Sequence, residues 1–347
     1  MKIAIQHRPG GFSDRWIEFC QQQGISYKIV NCYESDIISQ LEECDALMWH
    51  HHHSDIKDIL FAKQLLYSVE QAGKVVFPNF NSGWYFDDKL GQKYLLEAID
   101  APIIPTHVFY DKKLALEWAN STSYPKVWKL RGGASGANVR LVKNKSEAKS
   151  FIKKSFGKGH TQFSSLAQLK DTIKKYAQRK ASVTQLMKAF VRPIYNLIFG
   201  KFRRSVLGKG IGYVLFQDFM PNNTFDNRII VIGDKAFGVK RLTLTNDFKS
   251  SEFNGIISDR DQIDIRSVKI AFETARKMQS TSVGFDFIFD KENNPVIAEM
   301  GYGFIPDTYK DCTGYWNEEL IWHEAKFHPE DWMVEEVVNE VNNKRLL

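Results

Sequence analysis

The stretch Val283–Gly301, VGFDFIFDKENNPVIAEMG, decides the fold of this chain. Its first part, up to Asp290, alternates apolar and other residues as a strand does, and the residues from Pro295 onward form a second strand pattern. Between them lies a polar turn with two asparagines, which tolerate a positive φ. The pattern therefore predicts a β-hairpin that carries Asp286 on one strand and Glu299 on the other.

The two acids of this hairpin have two interpretations. A solvated hairpin can carry exposed acids that have no function. However, Asp286 lies between Phe285 and Phe287, and a carboxylate in such an apolar run is costly unless it is paired. Two carboxylates on adjacent strands suit an oxygen-preferring cation such as Mg²⁺, which usually keeps waters and contacts substrate phosphates. Asp286 and Glu299 are therefore candidate metal ligands.

The bulk composition is that of a globular protein. The chain has 347 residues, enough for two or three domains. No apolar run approaches the roughly 18 residues of a transmembrane helix, and the N-terminus lacks the apolar region of a signal peptide. The four cysteines show no CxxC spacing, which predicts free thiols in a reducing cytoplasm. They are Cys20, Cys32, Cys44 and Cys312.

The first 80 residues alternate short apolar strands with helices, from Lys2–His7 to Lys74–Pro78, and so predict a small parallel α/β unit. No GxGxxG follows the first strand, so a dinucleotide fingerprint is absent. Ser13 is the predicted N-cap of the first helix. Gly10-Gly11 and His50–His53 each follow a strand, at the usual ligand edge of such a sheet. For the histidines, a structural loop is the favoured interpretation, followed by a substrate contact and then by a metal site.

A Gly-rich hairpin follows in the middle of the chain. The strand Val127–Leu130 carries Lys129, three glycines lie in the loop after it, and Val139–Val142 returns as a strand. This is not a Walker P-loop, which needs a helix and a GKS/T signature. Small residues let backbone N–H groups approach phosphate oxygens, and Lys129 adds a positive charge. A mobile turn without a ligand is the simpler alternative.

The positive charge of the chain is local. The net charge is +6, but segment 151–212 alone holds 14 Lys or Arg and one acid. Within it, Gln168–Arg179 and Val183–Arg204 are predicted helices. This segment admits three interpretations: a helical hairpin packed on the Gly-rich hairpin, an amphipathic membrane-surface element, or a cradle for an acidic or phosphorylated substrate. No recognised nucleic-acid motif accompanies it, so nucleic acid is not an expected partner.

Taken in order, these motifs resemble the ATP-grasp superfamily. The Gly-rich hairpin is followed by an apolar strand with a short hinge (Tyr213–Met220), a basic strand pair (Asp226–Arg241) and the acidic hairpin. The chain is similar over most of its length to an uncharacterised ATP-grasp group associated with bacterial surface-polysaccharide biosynthesis. The similar segments include KLRGGASGANV, FQDFMPNN and NDFKSS. The ordered set is specific, whereas any single motif is weak.

The resemblance implies an α/β (α+β) fold in which two α+β subdomains clamp ATP. The expected segments are an N-terminal pre-ATP-grasp α/β domain (1–85), a lid subdomain (86–150), a basic helical insertion (151–212), a C-terminal subdomain with the metal hairpin (213–310) and a helical tail (311–347).

The resemblance also implies roles for individual residues, with ATP and Mg²⁺ (or Mn²⁺) as cofactors. Asp286 and Glu299 would be metal ligands, and Arg228, Lys249 and Arg241 would neutralise charge at the reacting phosphoryl group. The residues implied to bind the nucleotide are Lys89, Lys129, Gly132, Gly133, Ala134, Ser135, Gly136, Asn138, Gln217, Asp218, Phe219, Met220 and Asp226.

Three positions depart from the family pattern. Asp218 replaces the usual hinge Glu, and Lys249 stands where the similar group usually has Arg, which keeps the charge but not the bidentate fork. Most ATP-grasp enzymes have a metal-binding Asn at the position of Gly301. Whether one or two metal ions bind is therefore open.

The activity implied by the resemblance is that of an ADP-forming ligase. ATP would phosphorylate a carboxylate, and an amine or a thiol would then attack the acyl phosphate. The family association implies an amino acid and a sugar acid as small-molecule partners in surface-polysaccharide modification. The alternatives are a kinase that phosphorylates a hydroxyl group and a non-catalytic nucleotide-binding peripheral protein. The expected location is the cytoplasm. A peripheral contact of segment 151–212 with a membrane or an acidic glycan is the alternative.

Overall fold

The computed structural model describes residues 1–53, 55–132, 138–161, 208–243 and 253–346, and the single positions 173, 187 and 206. The chain divides into two compact units. The larger unit consists of Met1–Ile104 and Met220–Leu347, and the smaller unit of Pro105–Phe219. The predicted helices of the basic insertion lie outside the described residues. The five-segment division stays a prediction, although the larger unit joins the N-terminal domain to the C-terminal segments.

The larger unit begins with a four-stranded parallel sheet. Its strands are Lys2–Gln6 (β1), Ser26–Val30 (β2), Ala46–Met48 (β3) and Val75–Phe77 (β4), in the spatial order β2-β1-β3-β4. The helices of this part are Phe12–Gln22 (α1), Ile37–Gln40 (α2), Ile56–Gln71 (α3), Phe80–Gly83 (α4) and Lys89–Ala98 (α5). Gly24 and Gly73 follow α1 and α3 with φ of +64° and +87°, a conformation that favours glycine. The predicted parallel α/β unit is confirmed.

Two local predictions in this sheet were wrong. Ser13 is not the N-cap of α1: Gly11 is, and the Ser13 hydroxyl instead accepts a hydrogen bond from the backbone N–H of Arg8 at 2.8 Å. The pattern of Ile37–Cys44 predicts the second helix, but the observed helix ends at Gln40, because a turn with a hydrogen bond from Cys44 N–H to the Leu41 carbonyl leads the chain into β3. Both errors arise where side chains and turns satisfy the backbone in place of helix bonds.

The smaller unit contains a four-stranded antiparallel sheet. Its elements are Thr106–Phe109 (β5), Lys112–Ser121 (α6), Lys126–Lys129 (β6), Val139–Val142 (β7), Lys145–Ser155 (α7), His160–Thr161 (β8), Lys209–Gly210 (β9) and Val214–Asp218 (β10). The sheet order is β5-β10-β6-β7, and β8 pairs with β9. The core of this unit includes Ala115, Ile152, Trp128 and Phe216, so α6 and α7 cover the sheet.

The second sheet of the larger unit is antiparallel. Its strands are Phe225–Ile232 (β11), Lys235–Thr243 (β12), Phe253–Ile257 (β13), Ser282–Phe289 (β14), Pro295–Gly301 (β15), Gly314–Asn317 (β16) and Trp322–Glu324 (β17). Their order is β15-β14-β11-β12-β16-β17, and β13 also pairs with β12. The helices are Ile265–Met278 (α8) and Pro329–Leu346 (α9). The predicted acidic hairpin is confirmed as β14 and β15.

The two helices mark two cores around this sheet. Phe272 of α8 shares a core with Phe285 and Phe287, whereas Met333 of α9 shares one with Ile230 and with the first sheet. The prediction of a helical tail from residue 311 was partly wrong, because the strands β16 and β17 extend the sheet before α9 begins. Within the described part of the chain, no helix has the length and apolar character needed to cross a membrane.

Candidate active site

Strand register brings four charged side chains of the larger unit to one face of the second sheet. Asp226 stands opposite Arg241 across β11 and β12, and Arg228 stands opposite Asp286 across β11 and β14. Residues directly opposite one another share a face, as do residues two apart on a strand. We call Asp226, Arg228, Arg241 and Asp286 the acid–arginine cluster.

The two arginines of the cluster converge on one carboxylate oxygen. Arg228 Nη1 donates to Asp286 Oδ1 at 2.7 Å, and Arg241 Nη2 lies 2.8 Å from the same oxygen. Arg241 also donates to both oxygens of Asp226, at 2.6 and 2.9 Å. Asp226 is 0% exposed, so its carboxylate contacts this guanidinium rather than solvent. The cluster holds two positive and two negative groups in the interior of the fold.

Burial and ion pairing shift the pKa values of Asp226 and Asp286 in opposite directions. Burial raises the pKa of Asp226 to about 6, although Arg241 opposes that shift. Burial also acts to raise the pKa of Asp286, but Arg228 and Arg241 together outweigh it and hold that pKa below its ordinary value. Buried ion pairs are costly to desolvate and add little net stability. Such a cluster is therefore a candidate for function rather than a stabilising device.

Arg228 is fixed by two further contacts that the sequence did not predict. Its Nε donates to the Tyr309 hydroxyl at 3.1 Å, and its Nη2 donates to the Gly303 carbonyl at 3.2 Å. Burial raises the pKa of Tyr309, so this hydroxyl stays protonated at neutral pH. Tyr309 lies 81 positions from Arg228 along the chain, and only the folded chain shows their contact.

Lys89 and Glu299 form a second pair in the larger unit. Lys89 is the first residue of α5, which Asp88 caps, and its Nζ lies 3.2 Å from Glu299 Oε1. Lys89 is 8% exposed, whereas the Glu299 side chain is 42% exposed. Burial acts to lower the pKa of Lys89, but Glu299 and Asp87 outweigh it and raise that pKa. A predicted nucleotide-binding lysine and a predicted metal ligand are thus in direct contact.

The predicted metal ligands offer suitable chemistry but only two side chains. Asp286 and Glu299 are opposite each other across β14 and β15, and both supply the oxygen ligands that Mg²⁺ prefers. Gly301 supplies no side-chain ligand, and a Cβ at this position would lie 3.3 Å from the Phe86 ring, a tight contact. Among the residues that the structure describes, no group of three His, Cys, Asp or Glu is arranged to hold a metal.

The smaller unit contains the other predicted nucleotide residues. Lys129 ends β6, and Asn138 closes the base of the Gly-rich loop by donating to the Gly132 carbonyl at 3.1 Å. The remaining predicted loop residues, Gly133, Ala134, Ser135 and Gly136, lie outside the described residues, and so does Lys249. No role of these five residues is tested by the structure.

The predicted hinge is held by side chains that the sequence did not single out. Asp218, at the end of β10, accepts from Lys126 Nζ at 2.6 Å, and His107 Nε2 lies 3.1 Å from the same oxygen. The neighbouring side chain, Gln217, donates to the Thr106 hydroxyl at 3.2 Å. The last two hinge residues fall on either side of the unit boundary, since Phe219 ends the smaller unit and Met220 resumes the larger one.

The histidine run lies in the loop after β3 and is packed into the larger unit. His50 stacks on Phe12 with ring centroids 3.9 Å apart, and the Tyr302 hydroxyl donates to the His51 carbonyl. Burial lowers the pKa of His50 and of His51 to about 3. His51 Nε2 has no hydrogen-bond partner among the described residues, and His51 lines a cavity of about 10 Å³, close to the size of a single water. These contacts agree with the favoured interpretation of a structural loop.

Comparison with known proteins gives one family match and many structural ones. Residues 199–303 match the model of a RimK-like ATP-grasp domain. An uncharacterised protein of Mycoplasma pneumoniae, the MG012 homolog, is 24% identical over 100 residues, which are 29% of this chain and 35% of that relative. The chain therefore spans about a third of that relative's length.

The structural matches cover nearly the whole chain at low identity. A RimK domain ATP-grasp protein from Sphaerobacter thermophilus aligns over 86% of this chain and 90% of its own, with a TM-score of 0.52 and 14% identity. D-alanine–D-alanine ligase from Bacillus anthracis, in complex with ATP, aligns over 99% of both chains with a TM-score of 0.57 and 10% identity. Biotin carboxylase from Campylobacter jejuni aligns over 97% and 70%, with a TM-score of 0.59 and 14% identity.

Proposed function

We propose that this chain, which has the ATP-grasp fold, is an ADP-forming ligase that activates a carboxylate with ATP and joins it to an amine. The observation that supports this most is the convergence of Arg228 and Arg241 on one oxygen of Asp286. The two guanidinium groups are held in place beside a carboxylate that is predicted to bind a metal ion. This arrangement suits a reaction in which negative charge develops on phosphoryl oxygens. The ligases among the structurally similar proteins support the same chemistry.

We propose that Asp286 and Glu299 hold a Mg²⁺ or Mn²⁺ ion. When bound, such an ion would offset negative charge on the phosphate oxygens of ATP. The two carboxylates supply hard oxygen ligands on neighbouring strands. Because Gly301 provides no side-chain ligand and a Cβ there would press on Phe86, we propose a single ion rather than two.

Within the acid–arginine cluster, each residue has a distinct proposed task. Arg228, fixed by Tyr309 and Gly303, and Arg241 neutralise the acyl phosphate. The resemblance to the ATP-grasp superfamily implies that Asp226 binds the ribose hydroxyl groups of ATP. Its full burial and its two bonds to Arg241 favour a different role, and we propose that it positions this guanidinium.

The proposed ATP contacts follow the predicted residues. In the larger unit Lys89 binds phosphate oxygens. In the smaller unit Lys129 and the loop closed by Gly132 and Asn138 do the same, since a lysine and backbone N–H groups are common phosphate ligands. The segment 217–220 offers backbone groups to the adenine edge. The γ-phosphoryl group passes to the substrate carboxylate, the amine attacks the carbonyl carbon of the acyl phosphate, and phosphate leaves.

An ADP-release screen with pools of carboxylates and amines tests the proposal. We expect ADP and inorganic phosphate to appear only when both co-substrates are present. Asp286→Asn should lower the rate at least about tenfold, or roughly 1.4 kcal/mol of barrier. Asp264→Asn is the matched control, because Asp264 pairs with Arg266 at the start of α8, outside the cluster, and its rate should be unchanged.

Other outcomes of the screen identify the alternatives. ADP without inorganic phosphate, together with a phosphorylated hydroxyl, would identify a kinase. Binding of Mg·ATP without ADP formation from any pool would identify a non-catalytic nucleotide-binding protein. A sugar acid as carboxylate, a role in surface-polysaccharide modification and a contact of 151–212 with membrane or glycan stay predictions from the resemblance alone.

A further inference from the structure

The strand β15 contains one extra residue beside the predicted metal ligand Glu299. Asp286 on β14 stands opposite Glu299. The next residue of β14, Phe287, stands opposite Ile297, so the register passes over Ala298. Such a β-bulge interrupts the alternation of side chains along a strand, and bulges are frequent next to active sites, where they redirect a side chain. The bulge therefore lies directly before the carboxylate whose direction matters for the metal site.

The bulge places two core residues on either side of Glu299. Ile297 and Met300 both pack in the core that contains Phe285 and α8, although residues three apart on a regular strand point to opposite faces. Glu299 stands opposite Asp286, and its side chain is partly exposed rather than part of this core. The extra residue thus lets the strand anchor itself before and after Glu299 while the carboxylate stays on the face of Asp286.

Gln92 fixes the residue that follows Glu299. Its side chain is buried on α5. The Nε2 of Gln92 donates to the Met300 carbonyl at 2.8 Å, and its Oε1 lies 3.5 Å from Met300 N. Because β15 is the edge strand of its sheet, the side-chain amide supplies a hydrogen bond that a neighbouring strand would otherwise make. Gln92 therefore determines where the backbone of Met300 lies relative to α5.

Lys89 and Gln92 contact β15 from one face of α5. Residues three apart on a helix are neighbours on its surface, and Lys89 Nζ lies 3.2 Å from Glu299 Oε1. These two residues thus contact consecutive residues of β15, through an ion pair at Glu299 and a backbone hydrogen bond at Met300. Loss of the Gln92 amide would remove that hydrogen bond, and the Glu299 carboxylate would no longer be held at a fixed distance from Asp286.

We propose that Gln92 is a positioning residue for the metal ion held by Asp286 and Glu299. Through Met300 it fixes the strand after the bulge, so that the carboxylate of Glu299 stays beside that of Asp286. Side chains that orient a metal ligand typically change metal affinity about 10–100-fold when they are replaced. This inference rests on the proposed function, since it names a residue that supports the metal site of that reaction.

Mn²⁺ binding measured by electron paramagnetic resonance tests this role without turnover. Mn²⁺ is titrated into the protein together with a non-hydrolysable ATP analogue, and the fall of the free-ion signal gives the dissociation constant. A titration of the analogue alone supplies the reference. We expect Gln92→Met, which has a similar volume but no amide, to raise the dissociation constant for Mn²⁺ at least about tenfold.

Gln6→Met is the matched control. The Gln6 amide also pairs with backbone groups, accepting from Cys32 N–H at 2.6 Å and donating to the His7 carbonyl at 3.2 Å, but it lies on β1 of the first sheet. Both variants should lower the Tm, whereas only Gln92→Met should weaken Mn²⁺ binding. In the Glu299→Gln background, Gln92→Met should change the Mn²⁺ affinity less than about twofold, because it acts through that carboxylate.

Several results would overturn the positioning role. They are wild-type protein that binds no Mn²⁺, an unchanged Mn²⁺ affinity in Gln92→Met, and a loss of affinity that is equally large in the Glu299→Gln background. If Gln92→Met loses its cooperative unfolding transition, Gln92→Asn carries the test. This variant keeps the amide but shortens the side chain by one methylene, and it must weaken Mn²⁺ binding. Mn²⁺ binding that depends on Gln92, without any ADP release, would count against the ligase and not against the positioning role.

Discussion

Replacing Asp226 with Asn separates the positioning of Arg241 from the binding of ribose. Asp226 is fully buried, and its two oxygens accept from Arg241 at 2.6 and 2.9 Å. In the variant one oxygen remains as an acceptor, whereas the amide nitrogen faces guanidinium donors with which it cannot pair. Removing one partner of a buried ion pair costs about 3–5 kcal/mol, and the retained bond offsets about 1 kcal/mol of that cost. We therefore expect the free energy of unfolding to fall by about 2–4 kcal/mol.

Urea unfolding followed by tryptophan fluorescence measures this loss, and steady-state kinetics with ATP complete the test. A positioning role predicts a lower free energy of unfolding and a lower kcat, with the KM for ATP changed less than about twofold. Asp261→Asn is the control, since Asp261 is an exposed acid of the same unit. A free energy of unfolding within about 0.5 kcal/mol of wild type, together with a raised KM for ATP, would instead assign Asp226 to ribose binding.

Three further perturbations test His51, Gly301 and Lys89. Burial lowers the pKa of His51 to about 3 from its ordinary 6.5, so below pH 6.5 protons bind the unfolded chain preferentially. Since the pKa of His50 is lowered in the same way, the contribution of His51 is the difference in free energy of unfolding between the wild type and His51→Gln. This difference should change by about 1.4 kcal/mol between pH 7.5 and 5.5 in urea titrations, and a difference that stays constant with pH would contradict this. Gly301→Ala brings a Cβ to 3.3 Å from the Phe86 ring and should cost about 1 kcal/mol, seen as a lower Tm; an unchanged Tm would show that the ring yields freely. Lys89→Met should weaken ATP binding about tenfold in calorimetry, whereas the control Lys93→Met should change the affinity less than about twofold. Equal affinities of the two variants for ATP would exclude Lys89 from the site.

The sequence predicted features that depend on short-range chemistry. The alternation around Asp286 and the asparagine turn specify the hairpin of β14 and β15 locally, and the structure contains it. Gly24 and Gly73 mark helix ends because each adopts a positive φ. Ser13 was wrongly predicted to be an N-cap. Its hydroxyl accepts from Arg8 N–H rather than from a helix N–H, and the spacing of residues in the sequence does not reveal this.

The pairing within the candidate site was not predictable in the same way. The contact of Tyr309 with Arg228 joins residues 81 positions apart, and no local pattern encodes it. Asp226 was given a ligand role because its register against Arg241 was unknown, and that register is what commits both of its oxygens. A sequence motif identifies candidate functional residues, whereas the ion-pair partner of each charged side chain depends on the strand register of the folded sheet.

The fate of the carboxylate oxygen distinguishes a reaction through an acyl phosphate from simple hydrolysis of ATP. The protein would be incubated with Mg·ATP, amines and a pool of carboxylates labelled with oxygen-18, and the released phosphate would be analysed by mass spectrometry. Transfer through an acyl phosphate leaves one carboxylate oxygen on the phosphate, so we expect labelled inorganic phosphate whose formation depends on Arg228 and Asp286. Phosphate released without the label, at the same rate with and without carboxylates, would contradict it.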